Sequence, residues 1–137
     1  MEKENIIVRK TFLFALRIIS LYHYLRSKKN DFVLSKQILK SGTSIGANVE
    51  EAEGGQSKPD FICKIQIALK EAKETRYWLK LLQESGYITK EIGKSLLGDC
   101  NEIILILNSI LITSKKNIHP KKYILHSSFF ILHSDEI

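Results

Sequence analysis

Apolar side chains recur every three or four residues along four stretches of the chain, the period of helices that bury one face. In the first stretch, roughly residues 6 to 28, Val8, Phe12, Ala15, Ile19 and Tyr22 form one stripe, and Phe14, Ile18, Leu21 and Leu25 form a second beside it. Together they make an apolar face wider than one core contact requires. The second stretch, about 34 to 54, places Leu34, Ile38, Gly42, Ile45, Val49 and Ala52 at the spacing of a bundle seam. The third, about 58 to 85, does the same with Phe61, Ile65, Ala68, Ala72, Thr75, Leu79 and Leu82, and is small at its centre. The fourth continues to about 116 through Ile92, Leu96, Cys100, Ile103, Leu107 and Ile110. Its segment EIILILNSILIT is apolar almost all round, which predicts a second neighbour beyond the core.

The breaks between stretches carry helix-end chemistry. SKKND at 27 to 31 supplies the first turn, with Asp31 or Ser35 as N-cap of the second helix. GGQ at 54 to 56 ends that helix, Ser57 and Asp60 resemble a capping box, and Pro59 suits a first helical turn, where its missing N–H has no partner to lose. Gly86 closes the third helix and Thr89 opens the fourth. The pattern therefore predicts an all-α fold of four helices over residues 1–116. Residues 117–137 form a separate C-terminal tail, expected to be poorly ordered, in which Ile124-Leu125-His126-Ser127 recurs as Ile131-Leu132-His133-Ser134.

One stretch departs from its surroundings. SGTSIGANVEEAEGGQSK, residues 41 to 58, gathers small and polar side chains inside a helical pattern, as a ligand loop or a close helix contact would. It contains neither GxxxxGK[ST] nor GxGxxG, and no strand pattern precedes it, so the phosphate-loop reading fails. Gly42 and Gly46 lie four apart on one helix face, and mid-helix glycine costs about 1 kcal/mol relative to alanine. A compensating close approach of another helix is expected, with Ala68, Ala72 and Thr75 of the third helix as the facing surface. Gln37, Ser41, Ser44, Asn48 and Glu51 run beside the seam, and Asn48 needs partners from serine or backbone groups.

The charge is unevenly placed. Lys3, Arg9, Lys10, Arg17, Arg26, Lys28, Lys29, Lys36 and Lys40 stand against only Glu2, Glu4 and Asp31 in the first 48 residues, which accounts for the whole net charge of +6. A localised positive field suits a polyanionic partner, although a solvated basic surface has the same composition. At 137 residues the chain fits one domain that buries roughly two-thirds of its unfolded surface. No apolar run reaches the roughly 18 residues of a membrane span, and the N-terminus lacks the pattern of a signal peptide. These features predict a cytoplasmic protein without a membrane partner. Cys63 and Cys100 lack metal-ligand spacing and read as buried thiols.

Enzymatic chemistry finds no support in the residues. A di-iron bundle needs paired ExxH motifs, yet His23 is the only histidine in the four helical stretches and no Glu precedes it by three. Neither cysteine has an evident base beside it. Glu50, Glu51 and Glu53 point in different directions on a helix. No catalytic residue, metal ligand or cofactor site is assigned.

The segment ILKSGTSIGANVEEAEGGQSKPDFICKIQIALKEAKETRYWLKLLQESGYI, residues 38 to 88, resembles the signature of the four-helix-bundle proteins encoded in intervening sequences of bacterial 23S ribosomal RNA genes. FALRIISLYHYL at 14 to 25 is similar to that family's first helix, and the resemblance spans roughly residues 6 to 115. It implies an antiparallel up-down four-helix bundle assembled into a homopentameric barrel. It also implies kinship with the accessory protein of diversity-generating retroelements, which binds nucleic acid and a reverse transcriptase. The motif positions carried over are Ser41, Gly42, Ser44, Ile45, Asn48, Glu51, Phe61, Ala68, Glu71, Ala72, Glu74, Trp78 and Leu79, with Gly46 beside them. Most are expected to serve packing, and Glu71, Glu74 and Trp78, on one stripe of the third helix, an intersubunit contact, with a ligand site as the alternative for this carboxylate pair beside an indole.

The expected function is thus that of a non-enzymatic homo-oligomer, a pentamer, whose basic surface contacts RNA or DNA phosphates through Lys10, Arg17, Arg26, Lys28, Lys29, Lys36 and Lys40. The alternative is a protein-interaction adaptor that binds no nucleic acid.

Overall fold

Each predicted helical stretch forms one continuous helix. The computed structural model describes residues 3–118, with side chains over 6–116, as α1 (Lys3–Lys28), α2 (Leu34–Glu53), α3 (Lys58–Glu84) and α4 (Lys90–Ile118). The short turns force successive helices to run antiparallel, α1 packs against α2, α2 against α3, α3 against α4, and α4 returns to α1. The expected tail from 119 onward, with His126 and His133, lies outside the described residues.

The helix ends follow their local chemistry. Asp31 accepts from the backbone N–H of Leu34 at 3.4 Å and of Ser35 at 2.6 Å, so it caps α2 from three residues before its first residue. Asn30, just ahead of it, takes a left-handed φ of 51°, a conformation asparagine tolerates better than most residues. Ser57 accepts from the N–H of Asp60 at 3.2 Å and Thr89 from that of Ile92 at 3.1 Å, opening α3 and α4. α3 closes with a Schellman arrangement: the N–H of Tyr87 reaches the Leu82 carbonyl at 3.0 Å and that of Gly86 the Gln83 carbonyl at 3.1 Å. Gly86 sits at φ 82°, which favours glycine.

The core refines the predicted stripes. On α1 the stripe of Phe14, Ile18, Leu21 and Leu25 is buried and extended by Ile7 and Thr11. The neighbouring stripe divides: Val8, Ala15 and Tyr22 are half-buried, whereas Phe12 is 60% exposed and Ile19 is exposed, as are Leu13 and Leu16 outside the stripe. The α2 and α3 seams are buried as expected, except that Leu34 and Phe61 pack at the edge of the core. On α4, Leu96, Cys100, Ile103, Ile104, Leu107, Ile110 and Leu111 are buried, while Ile92 at the helix start is exposed. Most of the apolar excess of α4 is therefore used inside the bundle, because this helix meets both α1 and α3. Leu105, at 67% exposure, is the main outward remainder. Lys90–Lys116 is the one segment among the described residues long and apolar enough, by length and composition, to cross a membrane. Here that apolarity lines the core.

Gly42 and Gly46 do mark a close helix approach, but to α1 and not to α3. A β-carbon at Gly42 would fall 2.8 Å from Ile18, and one at Gly46 3.3 Å from the Thr11 hydroxyl. Adjacent residues on a helix are rotated by about 100°, so Gly42 faces α1 while Ser41 faces α3. It is Ser41 that meets Thr75, their hydroxyl oxygens 2.8 Å apart.

Candidate nucleic-acid interface

The seven basic residues singled out in the sequence fall into separate places. Lys10 and Arg17 lie on the side of α1 that faces α4. Lys10 pairs with Glu102 at 3.1 Å; Arg17 pairs with Asp99 at 2.6 Å and donates to the Ser95 hydroxyl at 3.0 Å. These exposed pairs are each worth at most about 1 kcal/mol, yet they bring an acidic partner to both cations and join the helix pair with the sparsest packing. Lys36 and Lys40 are exposed on α2, and Lys40 is close enough to Glu71 of α3 to favour its charged form. Lys10 and Arg17 therefore do not converge with Lys36 and Lys40 within one protomer.

The remaining basic residues gather where α1 ends and α2 begins. Arg26 lies over the rings of Phe32 and Tyr22, and Lys28 and Lys29 follow it, exposed. Lys36 stands in the first turn of α2 at the same end of the bundle. Lys28, Lys29 and Lys36 make no ion pair among the described residues. Phe32 and Val33, exposed in the intervening turn, are absent from the sequence-derived set. The signal was present in SKKNDFV, where an aromatic and a β-branched residue follow a polar turn without joining any stripe.

The motif residues divide: Gly42 and Gly46 face α1, Ser41 and Glu51 reach across to α3, and Ser44, Asn48, Glu74 and Trp78 bond within their own helix. Thr75 Oγ1 is 2.8 Å from both Ser41 Oγ and the Glu71 carbonyl. With one proton on each hydroxyl, both contacts are satisfied when Ser41 donates to Thr75 and Thr75 to the carbonyl. Ser44 donates to the Lys40 carbonyl at 2.7 Å, and Asn48 donates to the Ser44 carbonyl at 2.8 Å, so backbone meets the need of Asn48. Glu51 pairs with Lys64 at 2.7 Å across the two helices. The Trp78 indole donates to Glu74 at 3.1 Å. Burial, with Glu74 close by, raises the Glu71 carboxyl above its ordinary value, against the opposing pull of Lys70 and Lys40.

The cysteines differ from expectation. Cys100 is buried, its thiol donating to the Ala72 carbonyl at 3.2 Å, and desolvation pushes its pKa up to about 12, which keeps it protonated. Cys63 is exposed, because position 63 falls outside the α3 seam that passes through Phe61 and Ile65. Among the described residues no three His, Cys, Asp or Glu side chains are grouped as metal ligands require.

Between α1 and α2 runs an open groove of about 270 Å³, lined by Val8, Thr11, Phe12 and Ala15 of α1 and by Thr43, Gly46, Ala47 and Glu50 of α2. It lies directly beside the exposed strip of α1.

Residues 3–109 match the family model of the 23S rRNA-intervening sequence proteins. The chain is also similar, at 53% identity and a TM-score of 0.79, to a crystal structure from Bacteroides thetaiotaomicron VPI-5482, a protein of unknown function from the S23 ribosomal protein family. That likeness covers 80% of this chain and 98% of the other. No curated protein matches the chain.

Proposed function

The chain belongs to the 23S rRNA-intervening sequence protein family, and we propose that it acts as a non-enzymatic homo-oligomer that holds nucleic acid by its phosphates. The observation that carries this reading is the set of exposed cations Lys28, Lys29 and Lys36 at one end of the bundle, none of them paired with a carboxylate among the described residues. Local positive charge left without a counter-charge attracts polyanions, and copies in an oligomer multiply weak contacts. Self-association is supported by the exposed Phe12, Leu13, Leu16 and Ile19, of which Phe12 lines the α1–α2 groove, and which together leave apolar surface that a second copy can cover. A pentameric barrel is the arrangement we favour.

Binding of RNA and duplex DNA, titrated against salt, tests the first half. Each neutralised phosphate should add about 0.7 to 0.9 to the log-log slope, and Lys28→Glu with Lys29→Glu and Lys36→Glu should flatten it. Affinity indifferent to salt and to charge reversal sinks the phosphate reading and favours an adaptor that docks a protein on the exposed α1 strip. Light scattering tests the second half: a monomer at micromolar concentration excludes a barrel.

A further inference from the structure

The turn joining α1 to α2 holds an aromatic–cation stack that helix packing does not require. The Arg26 guanidinium carbon lies 4.5 Å from the centre of the Phe32 ring and 5.3 Å from that of Tyr22, within the roughly 6 Å over which a ring attracts a cation. Phe32 stays 50% exposed even so, and Val33 beside it is 69% exposed. Burial is not what places this ring.

The charge around it is equally one-sided. Asp31 is the only acidic residue between Glu4 and Glu50. Both of its carboxylate oxygens are engaged by the first backbone N–H groups of α2. It therefore serves the helix terminus and makes no ion pair among the described residues, and its single negative charge stands against four cations, Arg26, Lys28, Lys29 and Lys36. An exposed ring set among cations offers two complementary contacts: a face for a flat base and charge for the backbone on either side. In a duplex the base faces are covered by their neighbours, so an aromatic platform selects unstacked nucleotides.

We propose that this turn is a binding site for single-stranded nucleic acid, with one base stacked on Phe32 and the flanking phosphates held by Arg26, Lys28, Lys29 and Lys36. The proposal rests on the nucleic-acid reading above and adds to it a location and a strand preference. Phe32 is the specificity-determining residue, and the lysines supply affinity that does not depend on strandedness.

The test uses the full chain and fluorescence anisotropy with two probes, an oligouridylate of about 12 nucleotides, within the site sizes usual for single strands, and an RNA duplex of the same length. Phe32→Leu keeps an apolar side chain at an exposed position but removes the flat ring. It should weaken single-strand binding by about 5- to 150-fold, the range expected for one lost base stack, and leave duplex binding unchanged. Lys28→Glu with Lys29→Glu should weaken both probes. Unchanged single-strand affinity in Phe32→Leu, with both probes still weakened by charge reversal, overturns the stacking site and leaves the phosphate reading standing. Failure of wild type to bind either probe overturns both. A fall in oligomer mass for Phe32→Leu, measured by light scattering, would assign the ring to a subunit contact and likewise end the proposal.

Discussion

Gly42→Ala and Gly98→Ala add the same methyl group to two helices and should have opposite effects. At Gly42 the new β-carbon would lie 2.8 Å from both γ-carbons of Ile18 and 3.2 Å from its β-carbon. Ile18 is fully buried and branched at Cβ, so its χ1 has little freedom to move those atoms away. Relief requires α1 and α2 to shift apart. At Gly98, on the exposed side of α4, a β-carbon would meet nothing within 4 Å. Both substitutions gain about 0.8 to 1 kcal/mol of helix propensity. Overpacking at Gly42 opposes this with about 1 to 3 kcal/mol. Gly98→Ala should therefore stabilise by about 0.5 to 1 kcal/mol, and Gly42→Ala should be the less stable of the two by about 1 to 3 kcal/mol, because the propensity gain cancels in the comparison. Urea unfolding followed by helical circular dichroism measures both. Protomer concentration must be held fixed, since self-association shifts apparent stability, and the slope with denaturant should stay constant. A Gly42→Ala protein as stable as Gly98→Ala would refute the close α1–α2 contact.

Two further outcomes follow from individual side chains. The folded state binds the Glu71 proton more tightly than the unfolded chain does, so the contribution of this group to stability falls as pH rises from its ordinary value of 4.5 through the raised one; Glu71→Gln should melt above wild type at about pH 7 and lose that advantage by about pH 4. A thiol reagent should label Cys63 in the native chain and reach the buried Cys100 only after unfolding; rapid native labelling of Cys100 would show that α3 and α4 separate readily.

Helical period and end chemistry were enough to place the four helices, because these signals are local: Ser57, Gly86 and Thr89 each act within a few residues of themselves. Which helix a given face meets is a different kind of information. Gly42 was legible as a close-contact residue but not as a partner of Ile18, since residues 24 apart in sequence are joined only by the rotation of two helices about their axes. The same holds for the two stripes of α1. Phe12 and Ile19 carry the same apolar signal as Phe14 and Ile18, and only the bundle's handedness decides which stripe is covered. For the candidate site, composition located the cations along the chain but not their neutralisation. Lys10 and Arg17 look like Lys28 and Lys29 in sequence, yet acidic residues more than 80 positions away pair with the former.

The exposed apolar strip and the cationic turn occupy different levels of α1, and this allows association and binding to be separated by experiment. From Leu16, mid-strip, to Lys28 the helix rises roughly 18 Å at 1.5 Å per residue, so a substitution at one level leaves the other in place. If copies associate along the strip side by side in a barrel, their cationic turns come to lie at one end of the assembly, and a strand that touches several gains from their proximity. Phe12→Lys is the informative change, because Phe12 is exposed and the bundle should fold without it. We expect it to lower the oligomer mass and to weaken binding of a long single strand together, although it adds positive charge. Lys28→Glu with Lys29→Glu should weaken binding and leave the mass unchanged. The added charge makes the first result hard to obtain by accident, since electrostatics alone predicts tighter binding for Phe12→Lys. Tighter binding at unchanged mass would show that the strip has no part in association and that each bundle meets its strand alone.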